Sequence, residues 1–254
     1  MTSLLEMARP ATVTDDGFLD LMDGLSELTG VDRCRDMLFR IVDSYGLANA
    51  AYLGVNLPGV PTTQHFGVVT YEKDWVNRYI AADYFHIDPI IPTAMRQLLP
   101  LDWSSVNRKD PVLERFFGEA EDFRVGNHGL SFPIRGRLGE TALFSISTYA
   151  TDREWYGFRR RFMKDFQTLA FFFHEAIMRS EETFQNADIK LSRREIECLS
   201  WAAAGKTFGE IATILALSER TIKFYLDVAR IKLRATNVTQ AVSKAVAMNV
   251  IRIY

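Results

Sequence analysis

The apolar positions of the first 180 residues change period several times. Three- and four-residue spacing marks amphipathic helices near 17–29, 31–45, 72–83 and 89–98, while alternation marks strands near 48–54 and 64–70, from Gly129 to Ile134 and from Thr141 to Tyr149. The last two strands are joined by the turn-prone Arg135-Gly136-Arg137-Leu138-Gly139. This order of elements predicts an α+β domain with helices over an antiparallel sheet. A long helix then begins at Thr151 and Glu154, which have capping-box spacing, and Trp155, Phe158, Phe162, Phe166, Leu169 and Phe173 form its core stripe. Along the same helix Tyr156, Met163, Ala170 and Ile177 repeat every seven residues. That second line suits a partner helix at a homodimer interface, with deeper burial inside the monomer as the alternative.

After Met178 the run RSEETFQNAD is polar and reads as an interdomain linker, so the expected division is a domain over 1–178, a linker over 179–190 and a second domain over 191–254. The second domain reads as all helical. Ser192 with Glu195, Thr207 with Glu210 and Asn237 with Gln240 have capping-box or related spacing, and Ser218 caps a further start, giving four short helices. Gly205 closes the first, and Ala216-Leu217-Ser218 makes the tight connection of a helix-turn-helix between the second and third. In the third helix Ile222, Leu226, Ala229 and Leu233 share an inward face. Arg220, Lys223, Phe224, Asp227 and Arg234 fall opposite, a mixture able to reach base edges and phosphates from a major groove. Lys206 and Thr207, at a helix N-terminus, suit a phosphate contact, with a solvated loop as the competing reading.

Composition narrows the class of protein. A chain of 254 residues accommodates two compact domains, and 48% hydrophobic with 24% charged residues is ordinary for a soluble globular protein. No apolar run reaches bilayer-spanning length, and Met1 to Asp16 carries no secretory pattern, so the expected location is the cytoplasm, with no membrane partner. Cys34 and Cys198 stand far apart without metal-ligand spacing, as suits a reducing compartment. The net charge of -2 hides an uneven distribution: residues 189–254 hold 11 Lys/Arg against 5 Asp/Glu, and residues 1–188 hold 19 against 27. The basic tail is therefore the nucleic-acid candidate.

From Leu191 to about Ile251 the chain resembles the DNA-binding domain of the LuxR/NarL family. The resemblance is carried by Arg194-Glu195, Leu199, Ala203, Gly205-Lys206, Glu210-Ile211-Ala212, Leu215, Ser218, Thr221, Lys223 and Lys232-Leu233. Tyr225 and Val228 depart from the family's frequent His and Asn, which bears on operator sequence. The resemblance implies a double-stranded DNA partner met by Lys206, Thr207, Ser218 and Arg220, then Thr221, Lys223, Phe224 and Asp227. Lys223 is the foremost base contact. Glu195 reads instead as a capping residue and Trp201 as core.

The first domain has a second pattern. Tyr71, Trp75 and Tyr79 fall at i, i+4 and i+8, followed by Asp88-Pro89, Trp103 and Gly129-x-Ser131-x-Pro133. An aromatic stripe alone is a core feature. A carboxylate at its edge must find a donor, which points to a small-molecule pocket with fixed polar groups. The spacing is similar to that of the autoinducer-binding domain of quorum-sensing LuxR proteins, which bind N-acyl-homoserine lactones. The resemblance implies an antiparallel sheet between helical layers with the ligand on one side of it. It further implies that Trp75 donates to the lactone carbonyl, Asp88 accepts from the ligand amide, Tyr71 and Ser131 donate to the acyl carbonyl, and Tyr79 and Trp103 shape the pocket.

The expected protein is a transcriptional regulator with no cofactor, a lactone ligand, a homodimeric state and a palindromic promoter site, with RNA polymerase as a further partner. A solo regulator that answers another small molecule, or acts without ligand, is the alternative. His65, His86, His128 and His174 form no metal or triad spacing and no nucleotide-binding glycine loop occurs, so an enzyme is not expected.

Overall fold

The computed structural model describes residues 14–57, 60, 65–136, 139–180 and 190–252. The chain divides into two compact units, residues 1–134 with 141–184 and residues 135–140 with 185–254. Most of the expected linker lies at 181–189, outside the described residues.

The first unit holds helices α1 (Asp15–Ser26), α2 (Val31–Tyr45), α3 (Lys73–Ala81), α4 (Ile90–Met95), α5 (Pro111–Asp122) and α6 (Asp152–Ser180). Its strands are β1 (Asn49–Asn56), β2 (Phe66–Val69), β3 (Leu101–Asp102), β4 (His128–Arg135) and β5 (Thr141–Thr148), in one antiparallel sheet of order β2-β1-β5-β4-β3. The pleat sends alternate residues to opposite faces. Ala50, Tyr52, Phe132, Phe144 and Ile146 enter a core shared with α1, α2 and α6. Leu53 and Leu143, paired across β1 and β5, enter a second core with α3, α4 and α5. The sheet thus lies between helical layers, as the resemblance implies.

Helix α5 has no counterpart among the predicted elements. Its start was nonetheless signalled, because Asp110 accepts from the Val112 amide at 2.8 Å and Pro111 fills the first turn. Helix α6 begins at the expected box, with the Thr151 amide donating to Glu154 at 2.8 Å. The seven-residue line needs correction. Tyr156 is exposed, Met163 is packed partly against the core, and Ala170 and Ile177 are wholly buried in it. A strict seven-residue repeat drifts by about 20° per heptad on a straight helix, so over three heptads the line turns from the outer edge into the monomer's core. It is not a free dimerisation face.

The second unit contains α7 (Arg193–Ala203), α8 (Phe208–Leu215), α9 (Glu219–Lys232) and α10 (Val238–Ala247). Ser192, Thr207, Ser218 and Asn237 each accept the amide three residues on, at 3.3, 3.4, 3.1 and 2.8 Å. Between α8 and α9 Ala216 adopts the left-handed conformation, which completes the tight turn. The predicted inward face of α9 is buried at Ile222, Leu226, Ala229 and Leu233. Arg234 lies beyond the helix end with φ 50°, not on its outer face.

Candidate functional site

In the first unit, α3, α4, α5 and one face of the sheet enclose a cavity of about 570 Å3. That size falls within the roughly 300–1,000 Å3 of small-molecule sites. Of the predicted pocket residues, Tyr71, Trp75, Tyr79, Asp88 and Trp103 line it. Tyr71 precedes α3 rather than sharing its face, because the helix starts at Lys73. Trp75 and Tyr79 do lie one turn apart on α3, with their rings edge-on at 5.7 Å.

The polar groups of this wall are unevenly satisfied. Asp88 Oδ1 accepts the Ile90 amide at 2.8 Å and Oδ2 accepts the Tyr79 hydroxyl at 3.0 Å. Tyr79 therefore orients the carboxylate as well as shaping the cavity. Burial pushes the Asp88 carboxyl up to about 6, against those two donors, which favour its ionised form. Burial likewise raises the Tyr71 and Tyr79 hydroxyls, and the Asp88 charge adds to both, so they stay protonated donors. Among the described residues the Trp75 indole N–H and the Tyr71 hydroxyl have no hydrogen-bond partner.

Ser131 is placed differently from its expected role. It is fully buried and does not line the cavity. Its hydroxyl accepts the Trp103 indole N–H at 2.9 Å and meets the Ser145 hydroxyl at 2.7 Å. The reason is steric: the Trp103 ring lies against Gly129, where any Cβ would overlap it, and so covers this part of β4. Ser145 faces the cavity instead. The pleat that puts Leu143 on that wall predicts Ser145 beside it.

Several other wall residues carried no motif. Phe116, Phe117 and Ala120 come from α5, and Arg108 from the loop before it. The cavity's cover is fastened from outside by Glu119, whose oxygens accept Arg78 Nε at 2.6 Å, Arg78 Nη2 at 2.8 Å and the Tyr84 hydroxyl at 2.5 Å. These donors, Arg78 first, hold the Glu119 carboxyl down to about 2.

In the second unit the predicted DNA contacts divide by what their side chains already do. Arg220, Lys223 and Phe224 are exposed on α9. Lys206 is exposed before α8, with Glu210 at 3.8 Å. The Thr207 and Ser218 hydroxyls are engaged as helix caps, and Thr221 meets Ser218 at 2.7 Å. Asp227 lies 3.5 Å from Arg230, which offsets its charge. Glu195 is buried, closes the cap of α7 and accepts Lys232 Nζ at 2.9 Å, so this pair holds the unit together.

The Autoinducer binding domain family matches residues 30–177, and the family of bacterial regulatory proteins of the luxR family matches residues 190–245. The transcriptional activator RaiR of Rhizobium etli is 34% identical over 73% of this chain and 77% of its own length. The transcriptional activator AhyR of Aeromonas hydrophila is 29% identical over 93% of this chain and 92% of its own. Among solved structures, Escherichia coli SdiA superposes with a TM-score of 0.71 at 20% identity, covering 92% of this chain and 97% of that one. CepR2 of Burkholderia cenocepacia, described as an N-acylhomoserine lactone dependent LuxR family transcription factor, gives 0.54 at 19% identity over 64% of this chain and 94% of its own. Among the described residues no helix is long and apolar enough to cross a membrane.

Proposed function

Because the chain belongs to the LuxR family of autoinducer-binding, quorum-sensing transcriptional regulators, we propose that its first domain, residues 1–178, encloses an N-acyl-homoserine lactone. Residues 179–190 then form the linker. Residues 191–254 bind a palindromic promoter site within a homodimer, in the cytoplasm. The family is one of regulators rather than enzymes.

One observation carries the ligand assignment: the cavity wall presents two donors without partners, Trp75 and Tyr71, together with one oriented carboxylate, Asp88. An acyl-homoserine lactone offers the complement, with two carbonyl acceptors and one amide donor. Trp75 donates to the lactone carbonyl, Tyr71 to the acyl carbonyl and Asp88 accepts the amide N–H. Ser145 takes the part expected of Ser131. The hydrocarbon chain lies against the apolar remainder of the wall. The bound ligand stabilises the domain by mass action. The exposed Arg220, Lys223 and Phe224 of α9 then read base edges, with Lys206 on phosphate and the capped N-termini of α8 and α9 facing the backbone.

Two substitutions test the two halves. Asp88→Asn keeps volume and removes the charged acceptor, so lactone affinity should fall by about ten- to a hundredfold, the scale of a hydrogen bond to a charged group. Thermal unfolding with and without lactone reads this out. A full ligand-induced rise in the variant makes Asp88 a tie for the Ile90 turn only. Lys223→Ala should reduce discrimination between operator and random DNA by ~1–3 kcal/mol. An equal loss on both DNAs, measured by fluorescence anisotropy, would make it a phosphate contact.

A further inference from the structure

Arg108 lines the ligand cavity and belongs to none of the motifs above. Its guanidinium carbon stands 4.1 Å from the centroid of the Phe117 ring, and Phe117 itself lines the cavity. The stacked face is thereby used while the N–H edges are not. Among the described residues Arg108 has no hydrogen bond and no ion pair. The loop that carries it is set by local bonds: Asn107 accepts the Lys109 amide at 3.1 Å and Asp110 caps α5. The side chain is thus presented from a fixed backbone.

A half-buried guanidinium with idle donors is costly unless something accepts from it. Its charge already has counterparts nearby. Burial makes the guanidinium easier to deprotonate, and the charges of Asp102 and Glu121 act against that. Asp88 and Glu121 also line the cavity, so a ligand carboxylate would meet repulsion there. A neutral oxygen accepts from Arg108 without adding charge.

We propose that Arg108 is a further specificity-determining residue of the cavity, donating to a carbonyl oxygen of the ligand. This rests on the acyl-lactone reading of the same cavity. With the acyl carbonyl assigned to Tyr71, that chemistry leaves two carbonyls for Arg108, that of the ring of the head group and a 3-oxo group on the chain, and both present the same acceptor.

The test compares wild type with Arg108→Met, which keeps length and apolar bulk, and Arg108→Lys, which keeps charge but loses the planar fork. Each is titrated with octanoyl-homoserine lactone, its 3-oxo derivative and N-octanoyl-cyclopentylamine, which lacks the ring carbonyl, by isothermal calorimetry. The readout is the ratio of affinities within one protein, which a uniformly weakened fold does not move. If the chain carbonyl is the acceptor, the preference for the 3-oxo compound should shrink about tenfold or more in Arg108→Met and partly in Arg108→Lys. If the ring carbonyl is the acceptor, the preference for lactone over cyclopentylamine should shrink instead. Either result supports the proposal. Both preferences unchanged in both variants overturns it, with the lactone reading left standing. If wild type binds none of the three compounds, the lactone reading falls and the Arg108 proposal falls with it.

Discussion

In the helical unit each described helix start is closed by its own side chain, at Ser192, Thr207, Ser218 and Asn237, and the buried Glu195 is satisfied by Lys232. Around the cavity of the other unit, polar groups of similar kind are left over: the Trp75 indole, the Tyr71 hydroxyl and the Arg108 guanidinium have no hydrogen-bond partner among the described residues. Helices α2 and α3 also start without a side-chain cap. The difference is one of completeness. The DNA-binding fold closes on its own residues, whereas the sensor fold leaves an internal volume and spare donors whose natural complement is a ligand. Ligand-dependent stability should therefore reside in the first unit.

The largest expected effect separates a real packing deficit from a merely unusual helix. Ala170 is fully buried, so Ala170→Glu places an unpaired charge in the core of the sensor unit and should cost roughly 3–5 kcal/mol. Its neighbour Phe171 is 48% exposed, and Phe171→Glu should leave the unfolding midpoint within about 0.5 kcal/mol of wild type. Urea unfolding of the two variants decides the matter. Equal stability of both would put Ala170 back on an outer face and break the account of α6.

A smaller effect is expected from Glu195→Ala in the helical unit. It removes a cap and the acceptor of Lys232 together. The cap is worth about 1 kcal/mol and the charged hydrogen bond somewhat more, discounted because Lys232 is 38% exposed. A total of about 2 kcal/mol should appear in the unfolding of this unit, while lactone affinity stays unchanged. A parallel loss of ligand affinity would mean that the two units are not energetically separate in the way their polar groups suggest.

The same contrast explains what the sequence made legible. Side-chain caps are local, spaced three residues apart, so all four helices of the second unit can be read directly, as can the buried face of α9. The cavity depends on residues far apart in the chain. Trp75 and Asp88 stand out in the sequence by helical spacing and by a carboxylate at the edge of an aromatic stripe, but Arg108, Phe116 and Ser145 meet them only once the sheet is folded. Ser131 shows the limit of carrying a role along a strand: the Trp103 indole covers it, and the register that exposes Ser145 comes from pairing with Ala51 on β1. The heptad line failed for another reason, since seven residues do not close two turns of a straight helix.

The smallest expected effect is also the most diagnostic, because it gives opposite slopes for the empty and the filled cavity. Burial raises the Asp88 carboxyl from 3.8 to about 6 in the folded protein. A folded-state pKa above the unfolded one means that the group's contribution to stability is present in full below about pH 4 and is lost as the pH rises through about 6. The ligand-free sensor should thus become slightly less stable between pH 5 and pH 7 on account of Asp88. If Asp88 accepts the ligand amide as proposed, lactone binding should follow the reverse course. On the proposed role the amide N–H is accepted best by the ionised carboxylate, and at pH 5 only about a tenth of Asp88 is ionised when its pKa is near 6, against most of it at pH 7. Affinity should therefore be about tenfold weaker at pH 5 than at pH 7. Asp88→Asn should flatten both slopes. Differential scanning fluorimetry of the empty protein and calorimetric titration with octanoyl-homoserine lactone, each at the two pH values, measure them separately. A lactone affinity that does not change with pH in the wild type, beside a ligand-free stability that does, would confine Asp88 to holding the Ile90 amide and Tyr79. The amide would then have to be recognised by another acceptor of the cavity.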